Sequence, residues 1–174
     1  MSTVFLDLER LNRITLQHGS HNGTDVEGGC CGMEAVAVAA GKPKTDHPGI
    51  GSPVCELLTI RVNDLFGPGP AADTRRTAAL RPLLPLLLVT FDAPEHLEQR
   101  RVFYVLNWTV STMLPVVLDA GDQGEQATVL RELQPLTDAD TVESARKAIR
   151  PAFSATRSIS PSGVRTLRAS TVQP

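Results

Sequence analysis

The sequence predicts an all-α fold: a single-domain, irregular helical bundle of about six helices with a disordered C-terminal tail. Three observations predict it. Apolar residues recur at helical spacing in several segments. Gly and Pro clusters cut the chain into helix-length pieces, most sharply at Gly67-Pro68-Gly69-Pro70. The one run with strand character, Leu86 to Phe91, has no convincing partner strand elsewhere. The 174 residues suffice for one core, and 41% hydrophobic content excludes disorder throughout. Aromatics are only 4%, so Leu, Val and Ala must fill that core.

Val4 to Gln17 reads as the first helix, with Phe5, Leu8, Leu11 and Leu16 on one stripe. His18 to Gly29 holds four glycines with Asn, Asp and Ser and reads as a loop. Met33 to Ala40 is a short Ala-rich helix stopped by Gly41 and Pro43. Ser52-Pro53 supplies an N-cap and first-turn pair for a helix to about Leu65, buttressed by Val54, Leu57, Leu58 and Val62. Asp73 caps the next helix, and Pro82 and Pro85 break the pattern after it, so Arg81 to Leu88 is a kinked or broken helix, preferred over a strand at Leu86 to Phe91. Asp92 and Glu95 resemble a capping box. The segment Val102 to Leu118, carrying the sole tryptophan, Trp108, is apolar nearly all round and belongs at the centre of a bundle. Pro115 should kink it. Gly124 to Leu133 and Thr137 to Ile149 complete the set, the last capped by Thr137. The domain is expected to span residues 1–151, and the Ser/Arg-rich segment 152–174 to be a flexible tail.

The net charge of -2 and pI near 6.1 make no global electrostatic case for nucleic acid. From Ala145 onward, however, Arg146, Lys147, Arg150, Arg157, Arg165 and Arg168 face no acidic residue in sequence. That spacing is sparse and without aromatics, so a solvated tail is favoured over a nucleic-acid contact. No basic segment followed by an apolar one opens the chain, and the longest apolar run, Leu83 to Val89, falls short of the roughly 20 residues of a membrane span. A soluble cytoplasmic protein is expected. Three cysteines, Cys30, Cys31 and Cys55, form an odd set without a leader, which points to reduced thiols.

Two constellations could carry chemistry. Cys31 stands where a loop enters a helix, a place that lowers a thiol pKa; with His47 or His21 as base and Asp46 as orienting group it is a candidate nucleophile. Against that stands a small buried cysteine at a tight helix start. His18, His21, Cys30, Cys31 and His47 offer the N and S ligands that zinc prefers, but without a Cys-x-x-Cys pair. Against that stand two solvated loop histidines and one turn histidine. Asp46-His47-Pro48 reads most simply as a structural turn. Trp108 reads as core, and Arg100-Arg101 as a solvated face.

Cys31-x-Met33-Glu34-Ala35-Val36-Ala37, then Ala40-Gly41-x-Pro43, Asp46-His47-Pro48, Ser52-Pro53-Val54 and Asn63-Asp64 form a specific pattern. Together with His18-Gly19-Ser20-His21 upstream, and Leu80-x-Pro82-Leu83-x-Pro85, Glu98 to Arg101 and Leu106-x-Trp108 downstream, it resembles a family of hypothetical proteins from actinobacteria and their phages. The resemblance covers His18 to Leu136. It implies a largely helical protein and no established activity. Ile50 stands where the group tends to carry a second cysteine, and Val62 where it carries a tryptophan, which weakens any shared cysteine-rich metal site. The expected function is a non-enzymatic interaction or regulatory module with a protein partner. Its rivals are a cysteine- or zinc-dependent enzyme or metal-binding protein centred on Cys31 and His47, and nucleic-acid contact through the tail.

Overall fold

The structure, a computed structural model, describes residues 5–21 and 29–158. It is all-helical, with no strand among the described residues and a lone parallel bridge between Leu16 and Cys30. Among the described residues eight α-helices replace the six expected: α1 Leu8–Arg13, α2 Gly32–Ala39, α3 Pro53–Leu65, α4 Pro70–Leu80, α5 Glu95–Trp108, α6 Leu114–Ala120, α7 Gly124–Arg131 and α8 Ala139–Ser158. The chain divides into two compact units rather than one, Met1–Glu98 and Gln99–Pro174, with the division inside α5.

Unit 1 is built around α2. All eight residues of this helix are buried, because Gly, Ala and Val let neighbouring backbones approach closely. A Cβ on Gly32 would lie 3.3 Å from the Thr59 methyl and 3.5 Å from a Leu84 methyl. The first helix is much shorter than expected. Asp7 caps α1 by accepting from the Arg10 N–H at 2.9 Å, and Ile14 already has extended backbone. Ile14 and Leu16 are buried and Thr15 is exposed, the two-residue alternation of a strand-like segment. The expected face of α3 is also corrected. Leu57 and Leu58 are exposed, while Glu56 and Asn63 point into the core. Helix α4 starts at Pro70 with Gly69 at its N-cap, so Asp73 lies in the first turn rather than at the cap. Leu84–Thr90 forms 3₁₀ turns, consistent with the broken helix expected over a strand.

Unit 2 carries the helix expected at the centre of the molecule. Only half of the segment Val102 to Leu118 takes that place: Val110, Leu114 and Leu118 are buried in the core of unit 2, but no residue of α5 is buried, and Trp108 is 46% exposed. Asp92, in the turn before α5, adopts a left-handed backbone with φ 55°. Between α5 and α6 lies one wide π-turn, Thr109–Met113, closed by the Leu114 N–H on the Thr109 carbonyl. The turn answers Pro115, whose ring would otherwise meet the Ser111 carbonyl of a regular helix. The Ser111 hydroxyl donates to the Asn107 carbonyl at 2.8 Å. The uninterrupted helical stretch Glu95–Ala120 is therefore long and apolar enough, by length and composition, to cross a membrane.

Helices α6, α7 and α8 pack together around Val110, Leu114, Leu118, Ala127, Leu130, Leu136, Ala145 and Ala152. Asp138, not Thr137, caps α8, accepting from the Thr141 N–H at 2.8 Å, while the Thr141 hydroxyl accepts from the Thr137 and Asp138 N–H groups. The Thr141 N–H and hydroxyl, with the Thr137 hydroxyl and the Asp140 N–H, hold the Asp138 carboxyl below the ordinary carboxylate range. Helix α8 runs through Pro151 to Ser158, past the expected start of the tail at 152, and Ala152 belongs to the core. The rest of the expected tail, residues 159–174, lies outside the described residues.

Candidate functional site

The N-terminus of α2 brings together Cys31, Glu34, Ser20 and His21. Cys31 is the N-cap. Its sulfur accepts from the Glu34 N–H at 3.4 Å, and the Glu34 carboxylate returns to the Cys31 N–H at 2.7 Å. This is a capping box in which a thiol stands where Ser or Thr is usual. Glu34 also receives the His21 N–H at 2.6 Å, the His21 Nδ1 at 3.0 Å and the Ser20 hydroxyl at 3.3 Å. The loop segment His18–His21 is thereby tied to the helix start. Burial works to raise the Glu34 carboxyl, but the His21 and Cys31 N–H donors and the His21 ring hold it below the ordinary carboxylate range.

The Cys31 thiol moves the other way. Burial, with the Glu34 and Asp46 carboxylates behind it, pushes it up to about 12 despite the backbone hydrogen bonds it accepts. A thiol at that value is protonated at neutral pH, the reverse of what a nucleophile needs. Of the expected partners, His21 is spent on Glu34. His47 is exposed, with Nε2 3.9 Å from Asp46, and its N–H is held by the Thr45 hydroxyl at 3.2 Å. The Asp46-His47-Pro48 turn is therefore brought together as a pair, but no described hydrogen bond joins it to Cys31. His18 is exposed, and Cys30 is buried beside Leu16. Among the described residues no three His, Cys, Asp or Glu side chains gather as metal ligands.

Three further residues extend the polar network. Asn63 accepts from the Gly32 N–H at 3.1 Å and donates to the Gln17 carbonyl at 2.9 Å. Arg76, fully buried, donates through Nε to the Asn63 carbonyl at 2.8 Å, through Nη1 to the Leu16 carbonyl at 3.3 Å and to Asp73, and through Nη2 to the Gly67 carbonyl. Its guanidinium lies 5.8 Å from the Phe66 ring centre. Glu56 accepts from the Ile50 and Gly51 N–H groups at 2.9 and 3.0 Å. Sequence reasoning missed Glu34, Glu56 and Arg76 as a set. The Cys-x-x-Glu spacing at 31 and 34 was a readable signal; the other two had none.

The second feature of unit 1 is a groove of about 310 Å³ between α3 and the 3₁₀ segment. Cys55, Leu58 and Val62 form one wall, and Leu83, Leu86 and Leu87 the other. Leu58, Leu83 and Leu86 remain 38%, 55% and 57% exposed. Its few polar groups are the Cys55 thiol and the Thr59 and Thr90 hydroxyls. The Thr59 hydroxyl already donates to the Cys55 carbonyl, and that of Thr90 to the Leu87 carbonyl. Of the apolar stripe read in the sequence of α3, Leu58 and Val62 line this open groove, while Val54 and Leu57 do not.

Fold and site together define an all-helical protein whose first unit joins an apolar core to a buried polar network and carries an apolar groove, followed by a unit with an apolar core alone. Compared with protein-family models, curated proteins and solved structures, the chain matches none of them.

Proposed function

We propose that the protein is a non-enzymatic interaction module whose unit 1 groove takes an apolar helical segment of a partner protein. The groove carries this reading: three leucines stay exposed around a concave, uncharged lining. Exposed apolar patches that persist in a folded chain mark binding surfaces, and an apolar groove of this kind suits residues at i, i+3, i+4 and i+7 of a helix. The Cys31 thiol and its neighbours support the same reading, because they are committed to holding loops on α2. Cys31, Glu34, Ser52-Pro53 and Asn63-Asp64 carry the resemblance to the actinobacterial and phage group, and they are also the residues that cap helices and pin loops. That supports a shared scaffold rather than a shared reaction.

The test uses the full chain and a panel of labelled amphipathic helical peptides with leucine at those four positions, read by fluorescence anisotropy. Micromolar binding by members of the panel is expected, displaced by an anilinonaphthalene sulfonate dye. Leu58→Glu and Leu86→Glu should each weaken it about tenfold or more while helical circular dichroism is kept. Binding indifferent to both variants, or none by any peptide, would overturn the proposal.

A further inference from the structure

The helix Glu95–Ala120 is apolar enough for a core, yet it leaves a stripe uncovered. Tyr104 is 76% exposed, and Trp108 and Val116 are each 46% exposed. Thr112, between them, is exposed as well, so the residues at 104, 108, 112 and 116 form one line at four-residue intervals without a charge. Arg100, exposed, begins the line, and Asp122, also exposed, stands at its far end beside Asp119, which is ion-paired with Arg131. The opposite side of α6 is occupied: Leu114, Pro115 and Leu118 are buried.

We infer that this stripe is the interface for a second copy of the chain, with the two helices antiparallel about a two-fold axis near residue 110. Two properties of the stripe select this occupant. The first is size. An antiparallel register centred there sets Tyr104 against the other copy's Val116 and Trp108 against its Thr112, so each ring meets a small side chain. A self-complementary line of this kind is what an isologous contact requires. The second is charge. The same register brings each Arg100 to the Asp122 end of the other copy, where Asp119 is already neutralised by Arg131, whereas a parallel pair would set the two Arg100 side chains together. A hollow of about 210 Å³ bordered by Phe103, Tyr104, Asn107 and Leu136 lies beside Tyr104, where the other copy's Val116 arrives. A lipid bilayer fits less well. The buried side of α6 packs on α7 and α8, whose Glu125, Arg131, Glu143 and Arg146 would be carried into the hydrocarbon.

The chain supplies its own reporter, since Trp108 is the only tryptophan. Sedimentation velocity over a wide concentration series should show the 18.7 kDa species giving way to one of twice that mass. Trp108 emission should move to shorter wavelength over the same concentrations. Trp108→Lys and Thr112→Glu should each hold the protein monomeric, and Arg100→Glu should weaken association about tenfold. Leu58→Glu, in the unit 1 groove, should dimerise like the unaltered protein, which separates this inference from the peptide-binding proposal. Three results would overturn it: a monomer at every concentration, a dimer whose formation leaves Trp108 emission unmoved, or a monomer that co-sediments with phosphatidylcholine–phosphatidylglycerol vesicles. Should a variant lose its helical signal, the emission of the unaltered protein still decides.

Discussion

Glu34, Ser52, Glu56, Asn63, Arg76 and Thr77, the buried polar and charged side chains of the described chain, all lie in unit 1. Unit 2 closes over aliphatic side chains: Val110, Leu114, Leu118, Ala127, Leu130, Leu136, Ala145 and Ala152. The difference follows the backbone. Unit 1 is made of short helices joined by irregular segments, and each irregular segment brings N–H and C=O groups that helix ladders cannot satisfy. Glu34 answers the N–H groups of His21 and Cys31, Glu56 those of Ile50 and Gly51, and Arg76 the carbonyls of Leu16, Asn63 and Gly67. Unit 2 is built mainly on two long helical stretches, Glu95–Ala120 and Ala139–Ser158, whose backbone ladders satisfy themselves, so shape and apolar area suffice. Buried polarity here is a substitute for regular structure.

Three changes break or sharpen this comparison. The largest effect is expected from Arg76→Ala, which strands several buried carbonyls and Asp73 together. It should cost unit 1 about 3–5 kcal/mol, read as loss of amide-exchange protection in α2, α3 and α4 before α7 and α8. Equal loss in both units would show that the polar network is not local to unit 1. Next comes Leu130→Ala, a fully buried side chain of unit 2. A cost of about 2–4 kcal/mol is expected from lost burial and the cavity left behind, with no change in how stability depends on pH. Urea melts at two pH values test both statements.

The smallest effect, and the most specific, belongs to Glu34→Gln. The Glu34 carboxyl is held below its ordinary value of 4.5 in the fold. Its ionised form therefore adds stability that is fully present above about pH 4.5 and is lost as pH falls through the lower folded value. Glu34→Gln should cost about 1–3 kcal/mol at neutral pH, and the gap to the unaltered protein should close in acid. A gap that stays constant from neutral to strongly acidic pH would mean that the carboxylate's charge contributes nothing.

The helical class, the Ser52-Pro53 start of α3 and the absence of a strand at Leu86–Phe91 were legible because each depends on local chemistry. The stretch Ile14 to Leu16 was misread because its apolar residues fit a helical stripe and a strand-like alternation equally well. Only the bridge to Cys30, a contact between residues distant in sequence, decides between them. The inward face of α3 was misread for a different reason. An apolar stripe shows which side chains avoid water, but not that loop N–H groups would claim the facing side for Glu56 and Asn63. Likewise the composition of α5 announced a surface in need of cover without naming what covers it. At the candidate site, Cys31, His21 and Asp46 were picked out by side-chain type. Their roles depend on burial and on Glu34, which spacing alone did not rank.

The wide turn at Thr109–Met113 holds one residue more than a regular helix would use. Removing a single residue there, together with replacing Pro115, would return the segment to ordinary pitch and leave α6 aimed as before. The same deletion elsewhere between Glu95 and Ala120 would swing every later side chain by about 100°. Length variation within this rod is thus permitted at one place, and relatives of this chain that differ by one residue in it should differ there.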